Sequence, residues 1–323
     1  LRSVPGPLTN VGVKSPGCCV KGIQLMRTNW GEVEQKQNSV RLYALVAIVL
    51  TVGGLFFGVY AAYSINPFLL LAAMIPAGLV WWLFYKQLKG YKESYKETVV
   101  KSAAEGMFDR YHYIPDMGFQ SSEIKETGLM SLGNIYKSED TVAGTYKGVD
   151  FRRADMYIAQ YVSTGKGGYT IVYLLGTWLS FAYNKKFVTD LQIMTKGFHY
   201  SNKKKGRFFT RADERRHSFE TENMEFNRSF ECNCQLDSEA FYLLTPRVME
   251  MLLLLKSEFG CDFMVGFVKN RLHFAINSGK NHMEPPVFGD LSLEREVEKA
   301  RRELRLITVI VDTLDLDRKV FVE

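Results

Sequence analysis

The chain has 323 residues, 46% of them hydrophobic, with 41 Lys or Arg against 35 Asp or Glu and a formal net charge of +6. The surplus is local: Lys196 to Arg216 holds eight Lys or Arg against Asp213 and Glu214, an excess equal to that of the whole chain. The balanced remainder excludes a generally basic nucleic-acid binder, and 5 Cys without a Cys-x-x-Cys pair exclude a disulfide scaffold.

Residues 1–25 begin with Leu and are rich in Pro, Gly, Ser and Val without periodicity, so they are expected to be disordered. Met26 is a candidate native start. Residues 1–41 are read as a cytoplasmic N-terminal segment. From Leu42 to Tyr63 no residue is charged, and at about 1.5 Å rise per residue the run crosses a hydrocarbon core of about 30 Å. A second uncharged run, Phe68 to Tyr85, follows the polar turn Ser64-Ile65-Asn66-Pro67. Residues 42–85 therefore read as a transmembrane helical hairpin.

Arg27, Lys36 and Arg41 precede the first run, Lys86, Lys89, Lys92 and Lys96 follow the second, and the turn carries no Lys or Arg. The positive-inside rule places both termini in the cytoplasm. Gly54 and Gly58, with Ala73 and Ala77, are small residues at a spacing that lets two helices approach closely, within the hairpin or across a homodimer.

Residues 86–112 read as a juxtamembrane helix. Leu88, Tyr91, Tyr95, Val99, Ala103 and Met107 form one apolar stripe, and its Lys-rich start suits anionic headgroups. The pattern predicts a cytoplasmic α+β domain over 113–289, built on an antiparallel sheet with packed helices. A short helix is expected over Ser121 to Thr127. Strands over Val142 to Tyr146, Val149 to Ile158, Tyr169 to Phe181 and Phe187 to Met194 are expected as a four-strand meander, turning at Lys147-Gly148 and Asn184-Lys185.

Thr245 as N-cap, Pro246 at the first helical position and Gly260 after the last turn delimit a buried helix. Asp262 to Val268 and Arg271 to Asn277 read as a hairpin across Lys269-Asn270, with His273 facing outward between Leu272 and Phe274. Residues 290–323 form an amphipathic helix and tail, with Leu293, Val297, Ala300, Leu304, Ile307, Val311 and Leu314 on one face.

No catalytic set emerges. Ser163 to Gly168 lacks the spacing and the hydroxyl of a phosphate loop. The five histidines are dispersed without a second ligand at helical spacing, so no metal or cofactor is expected. Cys232 and Cys234 read as small hydrophobes of one strand face. The basic loop supplies the one candidate surface: Lys203, Lys204, Lys205, Arg207, Arg211, Arg215 and Arg216 as contacts to anionic lipid headgroups or an acidic partner. No nucleic acid is expected there.

Glu225-Phe226-Asn227 with Phe230, Leu244-Thr245-Pro246, Val248-Met249-Glu250, Asn270, Leu272, Ala275-Ile276, Pro285-Pro286 and Phe288 resemble the end of a bacterial family catalogued as domain of unknown function 3137. The resemblance runs from near Tyr91, through Ser122-Glu123 and Gly128-Leu129, to the C-terminus. It implies a membrane hairpin before a mixed domain and a bacterial inner membrane, and it brings no activity, cofactor or catalytic residue.

The expected protein is a non-enzymatic, membrane-tethered interaction or scaffold module with a protein partner or homo-oligomer. Its rivals are a lipid or small-ligand binder, with Tyr169 to Trp178 lining a pocket, and an enzyme acting on a membrane substrate.

Overall fold

The structure is a computed structural model that describes residues 16–64, 69–165, 167–183, 187, 189–200, 216–280, 284–314 and 316. The chain divides into two compact units: Leu1–Thr98 with Pro285–Leu293, and Val99–Glu284 with Glu294–Glu323.

The first unit contains helix α1 (Pro16–Ser64) and most of α2 (Leu69–Ala104). α1 begins well inside the segment expected to lack structure. Its inward residues are Val33, Gln37, Val40, Ala44, Ala47 and Gly58, with Thr51 and Gly54 half-buried between them. These positions alternate in steps of three and four, the period of a helix–helix seam. Ala77, Trp81, Phe84, Leu88, Tyr91 and Tyr95 repeat the pattern on α2. Trp81 Nε1 donates to Thr51 Oγ1 at 3.0 Å, Lys36 Nζ donates to Ser94 Oγ at 2.5 Å, and the Trp30 and Tyr95 rings lie 6.4 Å apart. Small residues at the seam allow this approach.

The outward residues are large and apolar: Phe56 is 77% exposed, Phe57 66%, Ile75 70% and Trp82 60%. Among the described residues, the helical stretch Asn29–Tyr60 is long and apolar enough to cross a membrane, its most apolar 18-residue window having a mean hydropathy of 2.4. Where charge returns to the sequence, polar side chains hold the segment after Glu284. Gln37 Nε2 (3.1 Å) and Tyr91 Oη (2.8 Å) both donate to the Pro286 carbonyl, and Arg41 Nε donates to that of Val287 at 3.0 Å.

The second unit is a mixed domain on one antiparallel sheet. Its strands are β1 (Arg110–Ile114), β2 (Ile135–Tyr146), β3 (Val149–Thr164), β4 (Gly167–Ala182), β5 (Leu191–Thr195), β6 (His217–Phe219), β7 (Phe230–Cys234), β8 (Asp262–Val268) and β9 (Arg271–Asn277). Their spatial order is β1-β2-β3-β4-β9-β8-β5-β7-β6. The helices are α3 (Ser121–Thr127), α4 (Met224–Ser229), α5 (Asp237–Leu243), α6 (Pro246–Phe259) and α7 (Leu293–Thr313).

The α6 signals operate as read: Thr245 Oγ1 accepts from Val248 N at 3.3 Å, and Gly260 closes the helix at φ 59°. Lys147 (φ 49°) and Gly148 (φ 77°) turn β2 into β3, and β8 and β9 keep their expected bounds.

Two expectations are corrected. The juxtamembrane helix ends at Ala104, and Tyr111 lies in β1, an edge strand that the sequence reading did not foresee. The expected fourth strand of the meander does not follow β4: β4 pairs with β9, β5 joins the sheet between β8 and β7, and the meander runs β1-β2-β3-β4 instead. An apolar strand shows that it will be central without showing which neighbour it takes. Asn184-Lys185 lies outside the described residues.

Alternation along the strands divides the sheet into two faces. One carries Ala154, Trp178, Ala275, Met264 and Met194, packed with Phe119, Ile124, Leu129 and Met130 around α3. The other carries Phe263, which meets Phe259 of α6 at 5.3 Å and Phe274 at 6.3 Å. Arg153 is fully buried on this second face. Its Nη2 donates to Asp155 Oδ1 at 2.5 Å and to Thr177 Oγ1 at 3.2 Å. Tyr113 Oη donates to Asp140 Oδ1 at 2.8 Å, and burial beside that carboxylate pushes the phenol far above its usual pKa.

Arg153→Met keeps most of the side-chain volume but takes the guanidinium away from Asp155. We expect it to lower the unfolding free energy by about 3–5 kcal/mol, the range for breaking a buried ion pair. Urea titration of the full chain in mild detergent measures this, and a loss under about 1 kcal/mol would contradict the assigned burial.

Candidate functional site

The register of three adjacent strands assembles a groove beside α3. Arg152 of β3 pairs across with Ser180 of β4, and Ser180 pairs with His273 of β9. Cross-strand partners project to the same face, so the three form a row. Arg271, two residues before His273, joins them. The row continues through Gly266 of β8, where a Cβ would lie 2.3 Å from Leu129 Cδ1. The missing side chain lets the segment after α3 settle on the sheet. Gln192 Nε2 of β5 donates to the Leu129 carbonyl at 2.5 Å and holds it there.

The resulting cavity is about 320 Å³. Phe119, Ile124 and Val268 give it an apolar wall. Arg152 stacks over the Phe119 ring at 4.3 Å, donates to Glu123 Oε1 at 2.9 Å and to the Gly118 carbonyl at 2.6 Å. The other oxygen of Glu123 accepts from Gln120 N at 2.7 Å and closes the first turn of α3. Arg271 is half-buried, and its Nε donates to Ser180 Oγ at 2.7 Å. Burial and the neighbouring Arg152 lower the Arg271 pKa. Lys269 and Glu126 face each other across 3.8 Å at the exposed rim.

His273 is 8% exposed, not outward-facing as its strand position suggested, because α3 and the residues after it cover that face. Trp178 Nε1 donates to His273 Nδ1 at 3.3 Å. An indole can only donate, so the neutral imidazole carries its proton on Nε2. Burial, then Arg271, hold the His273 pKa down at about 3. The ring is therefore neutral at physiological pH, a hydrogen-bond donor to the groove and a poor general base.

The residues proposed from the basic loop fall elsewhere. Lys203, Lys204, Lys205, Arg207, Arg211 and Arg215 lie outside the described residues. Arg216 is described, and its side chain is 3% exposed. Its guanidinium donates to the carbonyls of Gly128 (2.9 Å) and Thr127 (3.2 Å) and so caps the C-terminus of α3. It faces the protein interior, a correction to its place in an exposed basic surface.

A second cluster joins residues that are distant in sequence. His217 and Cys234 are cross-strand partners, and Asp237 opens α5 three residues later. Asp237 Oδ1 meets the His217 ring nitrogen at 2.6 Å and accepts from Cys234 Sγ at 3.2 Å. Hydrogen bonds from both hold the Asp237 pKa low, and burial pushes the Cys234 thiol up to about 12. The carboxylate sits at the centre, which is not the nucleophile–base–orienter order of covalent catalysis. The donor atoms of all three lie within 4.8 Å of one another. They are three of the four a tetrahedral zinc requires, and the described residues supply no fourth. Spacing along the chain could not reveal this trio, since β-pairing brings it together.

Tyr173, Leu174 and Trp178, expected in one rival reading to line an apolar pocket, belong to the packed core.

Residues 173–316 match the family described as "Protein of unknown function (DUF3137)". The resemblance read from individual residues is thus shown, over a span that starts at Tyr173 instead of near Tyr91. The matched span contains Ser180, Arg271 and His273 but not Arg152. No curated protein matches the chain. Among solved structures, the crystal structure of the mycobacterial trehalose monomycolate transport factor A, TtfA, is similar with 10% sequence identity and a TM-score of 0.34, covering 68% of this chain and 95% of that chain.

His273 gives the domain a pH-dependent limb. Its pKa is about 6.5 when unfolded and about 3 when folded, so on acidification the unfolded chain binds the proton first. Its contribution to stability is complete above the higher value and is lost between the two, at up to about 1.4 kcal/mol per pH unit. Urea titrations from neutral pH to about pH 5 should show a shallower decline for His273→Gln than for the natural chain. Parallel declines would contradict a buried neutral imidazole.

Proposed function

We propose that the protein is a membrane-anchored, non-enzymatic binding module of the bacterial inner membrane. In this reading α1 and α2 cross the bilayer as an antiparallel pair, with both termini and the mixed domain in the cytoplasm. The observation that carries it is the belt of exposed Leu, Ile, Val and Phe side chains between residues 42 and 85. Soluble proteins rarely leave so continuous an apolar surface to water. On the α1 side the seam beneath the belt is lined by Ala44, Ala47, Thr51, Gly54 and Gly58, small residues of the kind that let lipid-embedded helices approach closely. Lys86 rests over the Trp82 ring at 5.8 Å, an arrangement suited to the membrane–water boundary.

The non-enzymatic part of the proposal rests on the groove. Ser180 is committed to Arg271, and His273 accepts from Trp178 with its basicity suppressed. Lys203, Lys204, Lys205, Arg207, Arg211 and Arg215 remain proposed contacts to anionic headgroups or an acidic protein partner.

Topology is tested with single introduced cysteines and a membrane-impermeant maleimide, the labelled peptide being mapped by mass spectrometry. Ser64→Cys should react in intact cells, whereas Lys299→Cys should react only after permeabilisation. The natural chain should stay in the membrane pellet through an alkaline carbonate wash. Release by carbonate, or outside labelling of Lys299→Cys, would contradict the anchor or its orientation.

A further inference from the structure

The groove beside α3 holds hydrogen-bond donors that the protein does not use. We propose that it binds a small organic monoanion, whose oxyanion group lies against Arg271 and His273 and whose apolar part rests on Phe119, Ile124 and Val268.

Arg152, Lys269 and Arg271 line the cavity against Glu123 and Glu126, and Asp150, bonded to Thr145 outside the lining, acts on Arg271 from beyond ion-pair distance. Glu123 is engaged by Arg152 and by the start of α3. Glu126 is paired with Lys269 at the rim. Among the described residues no carboxylate lies within ion-pair distance of Arg271. Its bonds go to Ser180, through Nε to the hydroxyl and through Nη2 to the carbonyl at 3.5 Å. Most of the donor fork is left for a ligand. A half-buried guanidinium beside a second one is costly without an anion, and a bound oxyanion relieves both the repulsion and the desolvation.

His273 supplies the second donor. It is more than nine-tenths buried, its Nδ1 is occupied by Trp178, and it lines the cavity with Nε2 carrying the proton. A neutral imidazole N–H recognises an acceptor without adding charge. The one guanidinium fork left open, that of Arg271, suits a singly charged carboxylate or phosphodiester better than a doubly charged phosphate monoester. The volume exceeds what a bare inorganic anion needs and lies at the lower end of the range for small organic ligands, about 300–1,000 Å³. The same chemistry is offered by a soluble carboxylate and by the diester headgroup of an anionic lipid.

Calorimetric titration of the full chain in non-ionic detergent tests this with three probes: benzoate, glycerophosphoglycerol, and benzamide as the uncharged counterpart of benzoate. We expect saturable binding of one or both anions at one site per chain, and none of benzamide. Benzoate alone indicates a soluble ligand, the headgroup alone a lipid, and both together the shared chemistry; each supports the site.

Arg271→Gln should weaken binding by about tenfold or more, Arg271→Lys should weaken it less, and Lys299→Gln on α7 should leave it unchanged. Thermal unfolding of each variant separates lost binding from lost fold, and the lysine variant keeps the test valid if the glutamine variant does not fold. The proposal is overturned if neither anion binds, if benzamide binds as well as benzoate, or if the folded Arg271 variants bind as the natural chain does.

Discussion

The register of β3 against β4 is the constraint on which the mixed domain depends. Side chains alternate across a sheet, so the consecutive residues Arg152 and Arg153 go to opposite faces. Arg153 is buried against Asp155 and Thr177, while Arg152 stacks on Phe119 and meets Glu123. A slip of one residue would exchange the two. It would bury the cation that α3 needs and carry Arg153 and Asp155 together to the other face, away from Thr177 of β4. The same register aligns Arg152 with Ser180 and, through β9, with His273. Core and groove are thus two outcomes of a single pairing.

In the first unit the corresponding constraint is a row of small residues on the seam face of α1 beneath a belt of large ones. Ala44, Ala47, Gly58 and Ala77 are buried, while Phe56, Phe57, Ile75 and Leu79 are exposed. A water-soluble helix pair carries polar side chains on its outer faces, where this pair carries Phe56, Phe57, Ile75 and Leu79. In lipid, backbone approach and van der Waals packing take over from hydrophobic burial as the force holding helices together, and bulky apolar groups belong on the outside. Gln37, Arg41 and Tyr91 reach the Pro286–Gly289 backbone where the belt ends, so polar side chains resume their ordinary role there.

Local chemistry was the part of the fold most legible in the sequence. Thr245, Pro246 and Gly260 mark the ends of α6 because a cap, a missing N–H and a left-handed residue act within one turn. The Lys147-Gly148 and Lys269-Asn270 turns were legible for the same reason. Long-range pairing was not. Nothing near Leu191 shows that β5 would leave β4 for β8 and β7, and nothing near Arg216 shows that it would cap α3. The groove could have been glimpsed in Arg271-Leu272-His273-Phe274, where polar and apolar residues alternate. Only the sheet order reveals that the polar face is covered by α3 instead of water. The His217, Cys234 and Asp237 trio was hidden because its members meet through strand pairing.

His273, buried, neutral and oriented by Trp178, makes the groove floor a hydrogen-bond donor. Nitrogen NMR of the full chain in detergent, with only histidine isotopically labelled, tests this most directly. The account predicts one imidazole fixed as the Nε2–H tautomer, its Nδ1 signal that of a hydrogen-bond acceptor, with no protonation on acidification to about pH 5. An Nδ1–H tautomer for His273, or an imidazole that takes up its proton near the ordinary value of 6.5, would contradict it.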